Sequence, residues 1–403
     1  MNESTSLEPR IHRELPRELP LLLRLRVRST EIVVSPAPQT GKSFRSRRRR
    51  TAQDSRRMIV MTLGGFLFIQ VILFALLEWV PSLRDPQFHD KIHQLQLQMN
   101  PVSGEKPFSI VVLGSSRTGM AVHGKSISEK LSVAWNRPVT LFNFGIPAVG
   151  PVLERLYLQR LLDQGIRPDL LLLEVHPALV TTNGGKPIEL RGLFLEQLRH
   201  SELAQIQSYG YLDAEAGKDW AFANLVPNAG LRFPLLGRLL PTWSLTWLRF
   251  DWGRKTDAWG WNGCPWSEVT PTERAGALSQ AKREYQGVLE TLHFDTAAAQ
   301  ALKDLLELTR RENIPTKLLL LPEGETFRSW YPPEVEARLS EFLQSLETEY
   351  GVACLNTRTW MPEGAFMDSH HLMQPGAKEY SAKLGDLLLS ATSPDRKEGG
   401  DLP

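Results

Sequence analysis

Apolar residues along this chain follow three patterns, and each predicts a different kind of element. From Met58 to Val80 the sequence is apolar throughout except at Thr62, Gln70 and Glu78. A helix of that length crosses about 30 Å of hydrocarbon. Five short runs rich in Leu, Val and Ile follow: Ile110–Leu113, Val139–Phe142, Leu170–Val175, Thr316–Leu321 and Val352–Leu355. Runs without polar alternation predict strands buried on both faces, as in a parallel sheet. Between and after them lie amphipathic stretches, Pro151–Leu162, Leu302–Arg311, Glu334–Tyr350 and Ala377–Leu389, which predict helices. Alternating strand and helix predicts a three-layer α/β/α domain around a flavodoxin-like parallel sheet, with strand order 2-1-3-4-5.

The polar stretches set the boundaries. Residues 1–57 are rich in Arg, Pro and Ser with little apolar period, and predict a basic disordered arm. Met58 and Met61 are alternative translation starts. Arg47 to Arg50, Arg56 and Arg57 precede the apolar span, and Trp79 stands at its far end. The positive-inside rule then predicts a cytoplasmic N-terminus, a transmembrane helix over 58–80 and everything beyond on the far side, in a single-pass inner-membrane protein. The run is too long and lacks the cleavage site of a signal peptide. Residues 81–107 are polar with a helical middle, His89–Met99, and predict a stalk. The domain proper covers 108–392, and 393–403 form a solvated tail. An insertion at 181–290 interrupts the strand–helix rhythm and carries Trp220, Trp243, Trp247, Trp252, Trp259, Trp261 and Trp266. It predicts a cap beside the site. Its tryptophans either stack on sugar rings or, as large apolar groups, pack a small core of the cap itself.

Composition excludes some partners. The net charge of +2 gives no global field, and the arginine run has no aromatic or folded nucleic-acid motif beside it, so no nucleic acid is expected. Cys264 and Cys354 form neither a disulfide framework nor a metal-ligand cluster, and read as two separate buried thiols.

The candidate chemistry lies at two distant places. The first strand ends in Gly114-Ser115-Ser116, which delivers a serine to the carboxyl edge of the sheet, where open α/β folds bind ligands. Near the other end stands Asp368-Ser-His370-His371-Leu372. A serine hydroxyl needs a base oriented by a third group. His371 as base and Asp368 as its partner meet that need, with His370 as the local competitor. The bland alternative makes Asp368 only a helix cap.

This pairing resembles the SGNH (GDSL-like) hydrolases, over residues 108–180 and 310–392, and most of all their membrane-anchored branch that acts on polysaccharide O-acetyl groups. The resemblance makes Ser116 the nucleophile and assigns Asp368 and His371 to the triad. It implies a serine esterase or O-acyltransferase acting through an acyl-Ser116 intermediate on acylated carbohydrate of the envelope or exopolysaccharide, with no cofactor and no metal. A metal site from Glu174, His176 and His371 lacks ligand spacing. For the oxyanion the candidates are the Ser116 N–H, an N–H of Gly145 or Gly150, with Ala148 tolerable in the same backbone role, and Asn143. The chain departs from the family after strand three, where Glu174-Val175-His176-Pro177 holds no Asn; His176 or Asn143 stands in. Arg117 either pairs within the fold or binds an anionic substrate. The alternative function is a catalytically degenerate binding or scaffold subunit among envelope-assembly proteins.

Overall fold

The computed structural model describes residues 44–100, 104–183, 186–187, 189, 195–232, 235–236, 240 and 256–391. Most of the expected basic arm, the expected tail, and Trp243, Trp247 and Trp252 lie outside these residues.

Five strands form one parallel sheet: β1 (Phe108–Gly114), β2 (Val139–Gly145), β3 (Leu170–Glu174), β4 (Thr316–Leu320) and β5 (Ala353–Asn356), in the order β2-β1-β3-β4-β5. The expected order is the one found. Register is set by full pairing, with Val112 opposite Leu172 and Leu318 opposite Cys354. The side-chain period of two divides the strand residues between two cores. Val111, Leu113, Leu171, Leu173, Leu318 and Leu320 face one side; Ile110, Val112, Leu170, Leu172 and Leu319 face the other. The first core takes α5 (Pro151–Asp163), α8 (Ala297–Arg311) and α9 (Pro333–Tyr350); the second takes α4 (Gly124–Trp135) and α10 (Gln374–Ala391). The result is the three-layer α/β sandwich that the buried runs predict.

Two segments differ from expectation. The apolar helix α1 runs from Phe44 to Trp79, so it starts well ahead of Met58. Arginine is a good helix former, and an existing helix extends at little cost, so the basic residues before Met58 continue it. The stretch Gln53–Trp79 is long and apolar enough to cross a membrane. The expected stalk is instead part of the domain. Its helix α2 (Pro86–Met99) buries Phe88, Ile92, Leu95 and Met99, spaced as one helical face, in the first core. Lys91 on the same helix is buried, and its Nζ donates to the carbonyls of Asn143 (2.8 Å) and Gly260 (2.6 Å). Burial lowers the Lys91 pKa to about 7.

The insertion holds a two-residue antiparallel pairing, Thr182–Asn183 with Lys186–Pro187, then α6 (Ala214–Leu225) and α7 (Pro271–Glu290). A capping box starts α7: Thr270 accepts from the Glu273 N–H, Glu273 accepts from the Thr270 N–H, and Pro271 occupies the first turn.

Candidate active site

The apolar β1 strand must stop at Gly114, because a Cβ there would lie 2.2 Å from the Thr118 hydroxyl and 2.3 Å from the Glu174 carboxylate. Ser115 then caps the helix α3 (Ser116–Ala121), accepting from the Arg117 N–H at 3.1 Å. Glu174, at the end of β3, holds this turn from below. Its buried carboxylate accepts from the Ser115 N–H (2.7 Å), the Ser115 hydroxyl (3.0 Å) and the Thr118 hydroxyl (2.7 Å). A carboxyl group that closes an all-leucine strand is the sequence signal for this knot, which the motif reading passes over.

Ser116 therefore stands half-buried at the carboxyl edge, and its Oγ lies 2.8 Å from His371 Nε2. His371 Nδ1 donates to Asp368 Oδ2 at 2.8 Å, and the His371 N–H donates to Asp368 Oδ1 at 2.7 Å. With Nδ1 as the donor, Nε2 carries the lone pair and accepts the serine proton. Burial opposes charge on Asp368, but His371, His370 and the hydrogen bonds from His371 outweigh it and hold the carboxyl below the usual range. The Asp368–His371 turn depends on Ser369, whose φ of 70° is left-handed. Its hydroxyl accepts from the Phe327 N–H (3.0 Å), and its carbonyl accepts from the Gly324 N–H (2.7 Å).

His370 does not compete. It is buried against Phe327 and Tyr285, with ring centroids 5.1 and 5.0 Å away, and burial lowers its pKa to about 3. Oxygen and nitrogen atoms of Asp368, His370 and His371 lie within 4.8 Å of one another, close enough for a metal. The Asp368 oxygens, however, already accept from His371 Nδ1 and from two backbone N–H groups, so the set is occupied by its own hydrogen bonds.

The expected oxyanion donors fare worse. The Gly145 N–H donates to Asn143 Oδ1 at 2.9 Å. Gly145 is glycine because a Cβ would meet backbone atoms of Gly119 at 2.3 Å, and not because of a positive φ. The Asn143 side chain is fully buried and donates to the carbonyls of Thr118 (2.8 Å) and Val122 (2.7 Å), so it locks β2 to α3. The Gly150 N–H donates to Glu189 at 3.0 Å. Glu189 also accepts from Val152 and Leu153 and thereby caps α5. All three groups are corrected from donors to structural hydrogen bonds. Arg117 is anchored within the fold, where its guanidinium donates to the carbonyls of Leu321 and Pro322, each at 3.0 Å, and lies 3.4 Å from Glu323, but its Nε has no protein partner and the residue also lines the cavity around Ser116.

Two further groups are placed to act in the oxyanion role. Ile146–Val149 is a tight turn closed by Val149 N–H to Ile146 O at 3.2 Å, with Pro147 and Ala148 at its centre. Ala148 has φ 59°, which a turn with Pro second and a left-handed third residue requires. His176 follows β3, is buried, and both ring nitrogens lack a protein partner. Burial, with Arg117, His370 and His371 adding, keeps it neutral by lowering its pKa well below the usual imidazole value. Ala148, His176, Ser116 and His371 line one cavity of about 480 Å³. That is the size of a small-molecule site. Met120, Leu179 and Met367 give it apolar wall, one face of α7 supplies Ala277, Ala281 and Tyr285 together with Gln280 and Glu284, and Arg117 adds a cationic group. Arg274 secures α7 to the histidine loop by donating to the Phe366 carbonyl. None of the described tryptophans lines this cavity. Trp220 bonds the Leu198 carbonyl (3.0 Å) and packs on the first core, and Trp261 bonds the Met120 carbonyl (2.8 Å) and packs on the second, so they dock the insertion onto the domain rather than fill a core of its own.

The chain matches no protein-family profile and no curated protein. Among solved structures, it is similar to the lipase/acylhydrolase from Enterococcus faecalis at 11% identity, over 72% of this chain and 99% of that one, with a TM-score of 0.29. At that TM-score the likeness adds nothing to the geometry.

Two expected outcomes arise from this site. An alanine in the left-handed region is strained by about 1 kcal/mol. Ala148→Gly should therefore raise stability by roughly that amount in urea unfolding, while the backbone N–H it presents is kept. The second concerns Glu154, which is buried with Oε2 unpartnered. Burial, then Glu174 and Glu189, raise its pKa well above the usual value of 4.5. A raised carboxyl stabilises the fold below its unfolded pKa and loses that contribution as pH rises through the folded one. Half-buried His89 and buried His176 and His370, all lowered, pull stability the opposite way below pH 6.5. The clean measurement is thus a difference. Relative to the parent, Glu154→Gln should gain up to about 1.4 kcal/mol per pH unit as the pH rises above the ordinary carboxylate range. A difference that stays flat with pH would mean that Glu154 is not held neutral.

Proposed function

We propose that this chain is a serine hydrolase or acyltransferase of ester bonds of the SGNH kind, and that Ser116, His371 and Asp368 are its triad. The observation that carries the reading is the Ser116 Oγ–His371 Nε2 distance of 2.8 Å, relayed to Asp368 at 2.8 Å, at the floor of a cavity. As Ser116 Oγ attacks an acyl carbon, its proton passes to His371 Nε2 and the carbonyl oxygen becomes an oxyanion. The Ser116 N–H, the Ala148 N–H and neutral His176 are the donors for it, in place of the amides of Gly145, Gly150 and Asn143, which bond other groups of the protein. Collapse expels the alcohol, which takes the proton from His371 and leaves acyl-Ser116. Water or a sugar hydroxyl then gives its proton to His371, attacks the acyl carbon and frees the serine. The apolar part of the walls, with Met120, Leu179 and Met367, suits an acyl group. Acylated carbohydrate of the envelope as the substrate rests on the resemblance alone. The span in α1 is supported as a single-pass anchor in the inner membrane, N-terminus cytoplasmic, by its length, its apolarity and the arginines that precede it.

One observation favours the scaffold alternative: three of the amide groups expected at the oxyanion are taken by the protein itself. A fluorophosphonate probe separates the two. The hydrolase reading expects stoichiometric labelling of the full-length protein on Ser116, located by peptide mass; a protein that stays unlabelled while folded is the scaffold.

A further inference from the structure

The end of α1 is not bare. Between Gln53 and Val80 the buried side chains are Gln70 and Leu77, with Leu73 half-buried between them, a spacing of three and four that marks one helical face turned to protein. Leu77 packs with Leu231 and Leu235. Polar contacts make the same junction. Arg84, buried, donates to Glu78 Oε1 (2.6 Å) and to Asn224 Oδ1 (2.8 Å), which ties the last turn of α1 to the last turn of α6.

Around that junction the insertion presents large apolar side chains to the outside. Phe222 is 55% exposed and Leu225 is 74% exposed, on either side of the clamped Asn224. Leu236 and Leu240 are exposed too, and helical hydrogen bonds link Leu235 to Leu231 and Leu240 to Leu236. Leu231 and Leu235 sit on α1 at Leu77, while Leu236, next in sequence to Leu235, and Leu240 are exposed. The flanks of α1 itself expose Phe68, Val71, Phe74 and Leu76, and then Trp79. Exposed apolar side chains of this size, grouped rather than scattered, mark a surface with a partner.

We propose that Phe222, Leu225, Leu236 and Leu240 are a lipid-contacting foot, seated in the interfacial region of the same bilayer that α1 crosses. The occupant follows from continuity: the foot is fixed by Asn224–Arg84–Glu78 and Leu231–Leu77 to the end of the apolar span, at the level of Trp79. Aromatic and aliphatic groups beside a basic residue are the composition of an interfacial contact, and Arg232 on the same segment supplies a basic group. The proposal rests on α1 being a membrane anchor, so its test reads the anchor separately.

The full chain, with Cys264→Ser and Cys354→Ser, receives a single cysteine at Leu225, Leu236, Val80 or Val133. Each is labelled with an environment-sensitive fluorophore and placed in phosphatidylcholine nanodiscs that contain nitroxide-labelled lipid. Val80 reports the anchor; Val133, an 84% exposed apolar residue on α4, reports surface exposure alone. Thermal melts that match the parent's certify each variant's fold. The foot predicts several-fold quenching at Leu225 and Leu236, close to that at Val80, and little at Val133. Quenching at Val80 with Leu225 and Leu236 behaving like Val133 overturns the foot and leaves the anchor standing. No quenching at Val80 overturns the anchor, and the foot with it.

Discussion

Ser116→Ala is expected to abolish ester turnover and fluorophosphonate labelling, a loss of roughly 10⁴-fold or more, while the melting temperature stays within a few degrees of the parent's. Chemistry and stability separate here because the hydroxyl's partner is His371 Nε2 at 2.8 Å, not a group of the core. Ser115, next door, is the reverse: its hydroxyl and N–H are both bonded to Glu174. His371→Ala should cost nearly as much as the serine change, and the double variant hardly more than either alone, since triad members act as a unit. Asp368→Asn should slow labelling rather than erase it, because the ring would lose the acceptor that fixes its Nδ1 proton. Turnover and labelling kinetics on purified full-length variants make the measurement. Additive losses for Ser116 and His371 would mean that they do not work together.

Glu174→Gln is expected to have the largest effect on the framework: a stability loss on the order of 3 kcal/mol by urea unfolding, together with labelling of Ser116 slowed at least about tenfold. The carboxylate has only donors around it, from Ser115 N–H, Ser115 Oγ and Thr118 Oγ1. An amide keeps one acceptor and turns the other into a donor, so the Ser115 hydroxyl must give up the bond it donates, in a buried site. Because Ser115 precedes the nucleophile, any shift of the knot moves Ser116 off the 2.8 Å contact. Thr118→Val removes one of the three bonds and should give about a third of the stability loss, with smaller change in rate. A Glu174→Gln protein as stable and as fast as the parent would show that the knot holds nothing in place.

The sheet was legible because buried parallel strands have no polar face, so Leu170–Leu173 can hardly be anything else. Order followed from the fixed hand of the crossovers. The Ser116–His371 pairing was legible because both ends of the relay lie at strand carboxyl edges, which the topology brings together. What could not be read were competitions for the same donor. Gly150 looks free until Glu189, 39 residues away, takes its N–H, and Gly145 looks free until the Asn143 side chain turns back on it. Spacing carries no information about such long-range or folded-back bonds. The stalk was misread for a different reason. Phe88, Ile92, Leu95 and Met99 do form a helical stripe in the sequence, but Gln, His and Lys between them dominate the composition, and one of those, Lys91, is itself buried.

That buried lysine bears on where the site can work. A free coil of the length from 81 to 107 would let its cargo roam roughly 30 Å. Here α2 is part of the core, pinned by Phe88 and Leu95 and bonded through Lys91 to the carbonyls of Asn143 and Gly260, and Arg84 joins its start to Glu78. With α1 in a bilayer, the working radius shrinks to nearly nothing. The cavity keeps one altitude, and encounters become a search in two dimensions. With α1 in a bilayer, substrates held at that surface would meet the cavity at one height, without the search a flexible tether imposes. Lengthening the junction after Trp79 with a flexible insert would convert this fixed altitude into an adjustable one.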